Sequence, residues 1–201
     1  MRDNKQTLRA RVALQRESLA PAELYVWNCL IQEKVLGFAC YRRARTVAFY
    51  SSIGNEVTTT VIAEDAFKTG KAVLYPRIVR GGRLELIRVE SREDLRPGRH
   101  KILEPYTGRA TSKEELEGAL VFVPGLAFDL AGRRLGRGIG AYDRLLKQTG
   151  AKSRFVALAY EFQIVAEVPT DEWDRNVDYI VTERRIVNCL DAATASLNQT
   201  C

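Results

Sequence analysis

Apolar residues in this chain recur with two different periods, and the changes of period mark out its elements. Leu8 and Val12 stand four apart among basic residues, so residues 3–17 predict a short basic helix. Pro21 can open a second helix, with Leu24, Trp27, Ile31 and Val35 at helical spacing to about Tyr41. The run TVAFYSS (46–52) is β-rich and apolar and predicts a buried strand. TTTVIAEDAFKTGK predicts a helix that starts at threonine and stops at Gly70. AVLYPRI (72–78) reads as a strand. After Gly81 and Gly82, RLELIRV alternates charged and apolar residues, as a half-exposed strand does. Glu90 to Ser112 is rich in Pro, Gly, Arg and polar residues and predicts a long loop. ALVFVPG (119–125) is apolar throughout, like a strand covered on both faces of a parallel sheet. AYDRLLKQTG then predicts a helix ending at Gly150, and RFVALAYE (154–161) and VDYIVT (177–182) two more strands. Strands alternating with helices predict an α/β fold: three layers, helices on both faces of a mostly parallel sheet, Rossmann-like.

The length of 201 residues suits one domain. Its expected parts are N-terminal helices over 3–41, an α/β core over about 45–183 and a tail over 184–201. There is no internal repeat and no low-complexity region. No apolar run reaches about 18 residues, so no membrane span is expected. The start of the chain is too polar for a secretory signal. Cys29, Cys40, Cys189 and Cys201 form no Cys-x-x-Cys pair, and their spacings do not suit zinc. Reduced thiols and a cytoplasmic location are therefore expected. The single histidine, His100, excludes a His-rich metal site, and a Ser-His-Asp triad would have to draw on a basic loop. The net charge of +6 points to an anionic partner: nucleic acid, nucleotide or polyanionic metabolite.

Chemistry concentrates in RRLGRGIGAYDR (133–144). Gly136, Gly138 and Gly140 alternate with other residues, which lets the backbone approach a ligand closely. In an open α/β sheet this loop lies where ligands bind, beyond the carboxyl end of a strand. Its N–H groups and the start of the following helix can hold an anion. Arg133, Arg134 and Arg137 can add charge-assisted hydrogen bonds to phosphate. Asp143 in the first helical turn can cap those N–H groups or hold magnesium on a phosphate. Three readings compete: a solvated turn, a dinucleotide fingerprint and a phosphate loop of another kind. Gly136, Gly138 and Ala141 fit G-x-G-x-x-A, with Glu161 about where a ribose carboxylate would stand. That fingerprint needs the strand to run straight into the first glycine, and PGLAFDLAGRRL intervenes. No Walker sequence occurs in the chain.

The longer segment VFVPGLAFDLAGRRLGRGIGAYDRLL resembles the signature of the 5-formyltetrahydrofolate cyclo-ligase family, also called 5,10-methenyltetrahydrofolate synthetases. Lys5-x-x-Leu8-Arg9, VAFYSSIGNEVTT, YPRI and LAYEFQIVAEVPTDEWDRNVDYIVTE are similar to other parts of that family, in the same order, over roughly residues 5–183. The resemblance implies an ATP- and Mg2+-dependent ligase. It would convert 5-formyltetrahydrofolate to 5,10-methenyltetrahydrofolate, release ADP and phosphate, and proceed through a phosphorylated formyl oxygen. By the same resemblance, ATP falls to Lys5 and Arg9 and to the loop Arg134, Leu135, Gly136, Arg137, Gly138, Ile139, Gly140, Ala141 and Tyr142. Arg137 and Tyr142 take catalytic roles, Ser51, Glu56 and Tyr142 meet the folate, and Asp143 and Asp174 hold the metal. The expected partner is a reduced folate, with no nucleic acid and no membrane, and the chain is expected to be a monomer.

Each residue also has a plainer reading. Lys5 and Arg9, spaced i and i+4, could form a solvated basic face. Glu56 could be a turn or N-cap carboxylate, Ser51 a strand-end hydroxyl, Asp143 an N-cap, Asp174 a surface acid and Asp178 a strand-start residue. The chain departs from the family at Ala141, where tyrosine is usual, and at Ile139, where glycine or a polar residue is common. A lost ring removes a packing surface beside a ligand. This leaves open an ATP-binding relative with another formyl or carboxyl substrate, and behind it a basic nucleic-acid-binding protein.

Overall fold

A computed structural model describes residues 4–98 and 102–190. Asp3 of the predicted first helix, His100, and the last part of the tail with Cys201 lie outside the described residues. Helix α1 (Lys5–Glu17) starts at Asn4, whose side chain accepts the Thr7 N–H at 2.8 Å. Helix α2 (Pro21–Gly37) has proline in its first turn and stops short of the expected Tyr41. Phe38 turns extended, with ψ at 125°, and a separate short helix α3 (Ala39–Arg43) follows. The apolar period continues through the break, which is why the sequence reads as one helix, but Gly37 and the extended Phe38 redirect the chain.

Strand β1 (Thr46–Ala48), helix α4 (Thr60–Lys68), strand β2 (Ala72–Val79) and strand β3 (Arg83–Val89) come next, close to expectation. The segment expected to be a loop instead contains a small antiparallel ribbon, β4 (Leu95–Pro97) paired with β5 (Leu103–Pro105). Strand β6 (Leu120–Val123) leads into a second ribbon, β7 (Ala127–Phe128) with β8 (Arg134–Leu135). Helix α5 (Ala141–Gln148), β9 (Arg154–Leu158), β10 (Tyr179–Val181) and β11 (Ile186–Asn188) complete the described chain. Strand β11 lies in what the sequence suggests is only a tail.

The main sheet has seven strands in the order β11-β10-β9-β6-β1-β2-β3. The five inner strands run parallel, and β3 and β11 close the two edges antiparallel. Side chains on β6 and β9 alternate between two cores, as a strand period of two requires. Phe122 and Val156 join Ile31 and Val35 of α2 and Ile62 of α4 on one face. Val121 and Ala157 join Leu145 and Leu146 of α5 on the other. This is the expected three-layer α/β/α arrangement. A third cluster, Leu8 and Val12 with Ala127, Leu135 and Val168, fastens α1 to the β7–β8 ribbon.

Candidate active site

The β7–β8 ribbon explains why β6 does not run straight into the glycines. Its turn is held by Asp129, which is 2% exposed. One oxygen accepts N–H bonds from Ala131 at 3.0 Å and Arg133 at 3.1 Å, and the other accepts from Val168 at 2.9 Å. The ribbon returns the chain to the end of the sheet and delivers the glycine loop to the start of α5. Because α1 packs on this ribbon, Arg9 reaches the same loop, its Nε donating to the Gly136 carbonyl at 2.9 Å, and Lys5 reaches Asp171 and Asp174 beside it.

Two of the three glycines are required by backbone shape. Gly138 has φ of 100°, and Gly140, the residue that caps α5, has φ of 65°. A side chain at either position would be strained. The expected capping role of Asp143 is not met: no side chain bonds the first turn of α5, and Asp143 faces elsewhere. The early N–H groups of this helix and the positive end of its dipole are thus left to a ligand, which favours an anion.

The charged residues of the loop form defined pairs. Arg134 Nη2 donates to Asp143 Oδ1 at 2.7 Å, with Arg134 almost fully buried. Its Nη1 donates to the Pro124 carbonyl at 3.3 Å, while its Nε has no partner among the described residues. Arg137 Nη2 donates to Glu56 Oε1 at 2.7 Å, and Glu56 Oε2 accepts the Ile53 N–H at 2.9 Å. Glu56 is therefore a buried partner of the glycine loop that also closes the turn from Ile53, and it is not the N-cap of α4, a position held by Thr59. Lys5 Nζ lies 2.7 Å from both Asp171 Oδ2 and Asp174 Oδ2. Burial acts to lower the Lys5 pKa, but the two carboxylate hydrogen bonds outweigh it and hold it above 10.5. Burial likewise acts to raise Asp174, and the bond from Lys5 with that from the Asp171 N–H brings it below 3.8. Burial, reinforced by the Glu56 carboxylate, pushes the Tyr142 phenol well above its ordinary value. Tyr142 thus keeps its proton at neutral pH and is a donor, with the Arg134 guanidinium 5.9 Å from its ring centre.

All these groups line one cavity of about 500 Å3. Pro76, Ile78 and Leu84 give it an apolar wall beside the charged loop. That combination of apolar wall and few convergent polar groups is typical of small-molecule sites. Ser51 lines it too, its Oγ donating to the Leu103 carbonyl at 2.6 Å. Ala141 and Ile139 also face it. The structure brings together Lys5, Arg9, Ser51, Glu56, the loop from Arg134 to Asp143, and Asp174. It leaves out Arg133, which bonds Glu167, and Glu161, which pairs with Arg185. Sequence reasoning missed three more. Asp171 shares Lys5, and Trp173 stands at the same rim. Glu104 accepts the Ile78 N–H at 2.9 Å through Oε2, while its buried Oε1 has no partner among the described residues. Glu104 sits in the segment read as a loop, and only the β4–β5 pairing gives it a fixed place.

No group of three or more metal-ligating side chains occurs among the described residues. Magnesium commonly takes one or two carboxylates and fills its remaining positions with phosphate oxygens and water. Asp143 and Asp174 both line the cavity, and each keeps one carboxylate oxygen outside its bond to Arg134 or Lys5.

Comparison with known proteins identifies the family. A sequence model of the 5-formyltetrahydrofolate cyclo-ligase family matches residues 1–183. The 5-formyltetrahydrofolate cyclo-ligase of Mus musculus is 33% identical over 189 residues, which cover 89% of this chain and 93% of the relative. That of Escherichia coli (strain K12) is 27% identical over 175 residues, covering 86% of this chain and 96% of its own. The solution structure of Aquifex aeolicus 5,10-methenyltetrahydrofolate synthetase superposes with a TM-score of 0.81 at 34% identity, covering 92% of each chain. With the family signature in the loop of this cavity and the match running from the first residue to 183, the chain belongs to the 5-formyltetrahydrofolate cyclo-ligase family and is a ligase.

Proposed function

We propose that the chain uses ATP and Mg2+ to close 5-formyltetrahydrofolate to 5,10-methenyltetrahydrofolate, releasing ADP and phosphate. The observation that carries this reading is the meeting of two environments in one cavity. One side is an uncapped helix start ringed by Lys5, Arg9, Arg134 and Arg137, and the other is the apolar wall of Pro76, Ile78 and Leu84. The first suits a polyphosphate and the second a flat heterocycle.

The formyl oxygen is a poor leaving group. ATP supplies a phosphoryl group that converts this oxygen to phosphate ester. The amine at position 10 then forms a bond to the formyl carbon and gives up its N–H proton to the departing phosphate or to solvent, the carbon–oxygen bond breaks, and phosphate leaves with the oxygen. No covalent nucleophile from the protein is needed, and catalysis rests on positioning and charge stabilisation. Arg137 and the protonated Tyr142 are assigned to the transferring oxygens, where each can donate. Glu56 aims Arg137. Arg134 fixes Asp143, which with Asp174 would hold the metal on the phosphates. Lys5 is poised between Asp174 and an incoming phosphate. Ser51 and Glu56 stand on the folate side.

Mixing protein, ATP, Mg2+ and 5-formyltetrahydrofolate is expected to produce the near-ultraviolet absorbance of the methenyl product, with no rise when any one is omitted. An active relative serves as control, and no ATP-dependent rise would overturn the assignment. Ala141 favours one second reading, since a small residue on the cavity wall leaves more room than the usual tyrosine. A panel of formyl and carboxyl compounds scored for ADP release would then pick out a different acceptor.

A further inference from the structure

Trp173 is a large apolar residue left 63% exposed on the wall of the same cavity. Its neighbour in sequence, Asp174, is bound by Lys5. The ammonium of Lys147 lies over its ring, 5.5 Å from the centre. Lys147 is in the last turn of α5, whose uncapped start at Gly140 is the anion site. Seven residues of helix separate the two, roughly 10 Å at the usual rise. That separation is comparable to the span from a nucleotide's phosphates to its base. The cavity, at about 500 Å3, has room for about one ligand of drug size.

We propose that Trp173 is the stacking platform for the purine of ATP, held at its angle by Lys147, with the phosphates at the start of α5. This rests on the ATP reading above and adds the residue that tells a nucleoside triphosphate from a bare polyphosphate. Any base presents a π-face to such a ring, so affinity depends on the base being present more than on which purine it is.

The test uses the full chain with Trp27, the other tryptophan, replaced by phenylalanine; Trp27 packs on Tyr160 away from the cavity. Emission from Trp173 is expected to be quenched by MgATP and unmoved by magnesium tripolyphosphate, which still competes with MgATP. In the parent chain, Trp173→Ala should raise the KM for ATP about ten-fold, the cost of losing one base stack. The value of kcat, the folate KM and tripolyphosphate affinity should stay within about two-fold. Trp173→Phe should recover most of the loss. Unchanged ATP affinity in Trp173→Ala, or a change confined to the folate KM, would overturn the stacking role while leaving the ATP reading intact. A parent chain that does not bind MgATP would overturn both.

Discussion

At the scale of single residues, neighbours in one loop have different tasks. Arg134 is buried against Asp143, whereas Arg137 is about half exposed and reaches across to Glu56. Arg134→Ala should lower unfolding free energy by about 3 kcal/mol, because a part-buried carboxylate loses its partner. Arg137→Ala should cost less, about 1–2 kcal/mol for the buried Glu56 carboxylate that keeps only its Ile53 N–H bond, yet cut kcat on the order of 100-fold. Urea unfolding and steady-state kinetics on both variants check this contrast. The Lys5–Asp174 pair gives a pH signature. Asp174 is depressed below 3.8, so its contribution is present above that pH and is lost as pH falls through the folded value. Lys5 is raised above 10.5, so its contribution holds below that pH and is lost as pH rises through the folded value. Unfolding measurements should therefore show a deficit of about 1 kcal/mol in Lys5→Met that is flat from about pH 4 to 10 and shrinks outside. The identities of the glycines and arginines were legible in the sequence. Asp171 and Glu104 were not, since they reach the cavity only through tertiary packing.

At the scale of elements, the period of the apolar residues located nearly every strand and helix of the main sheet. It failed where local pattern was weak or pointed the wrong way. The β4–β5 ribbon and β11 are three-residue strands with no alternation long enough to detect, and their pairing is set by contacts with the rest of the molecule. The break at Phe38 was hidden by an uninterrupted apolar run. The glycine loop is the opposite case: Gly138 and Gly140 take a positive φ that glycine accepts freely, so the sequence itself marks the tight backbone. Gly140→Ala should cost about 1–2 kcal/mol, since a side chain must enter the left-handed region at φ of 65°. It should also raise the KM for ATP by shifting the first turn of α5. Thermal melts and kinetics read the two effects separately.

At the scale of the whole molecule, the fold joins two separate structures at one point. The parallel sheet with its flanking helices carries α5 and the ends of β1, β2 and β6. The α1 helix brings Lys5 and Arg9 from the start of the chain, held by the small core on the β7–β8 ribbon. Leu8→Ala in that core should cost about 3 kcal/mol and weaken ATP binding although Leu8 touches no ligand group. An ATP KM unchanged at temperatures where the variant is folded would separate α1 packing from the site. The central claim is that phosphoryl transfer from ATP is coupled to folate closure in this cavity. The measurement that tests it most directly is ADP release with and without 5-formyltetrahydrofolate, followed beside methenyl absorbance. We predict one ADP for each methenyl product and almost none without the folate. ADP release that ignores the folate, or methenyl product formed without ADP, would contradict the account.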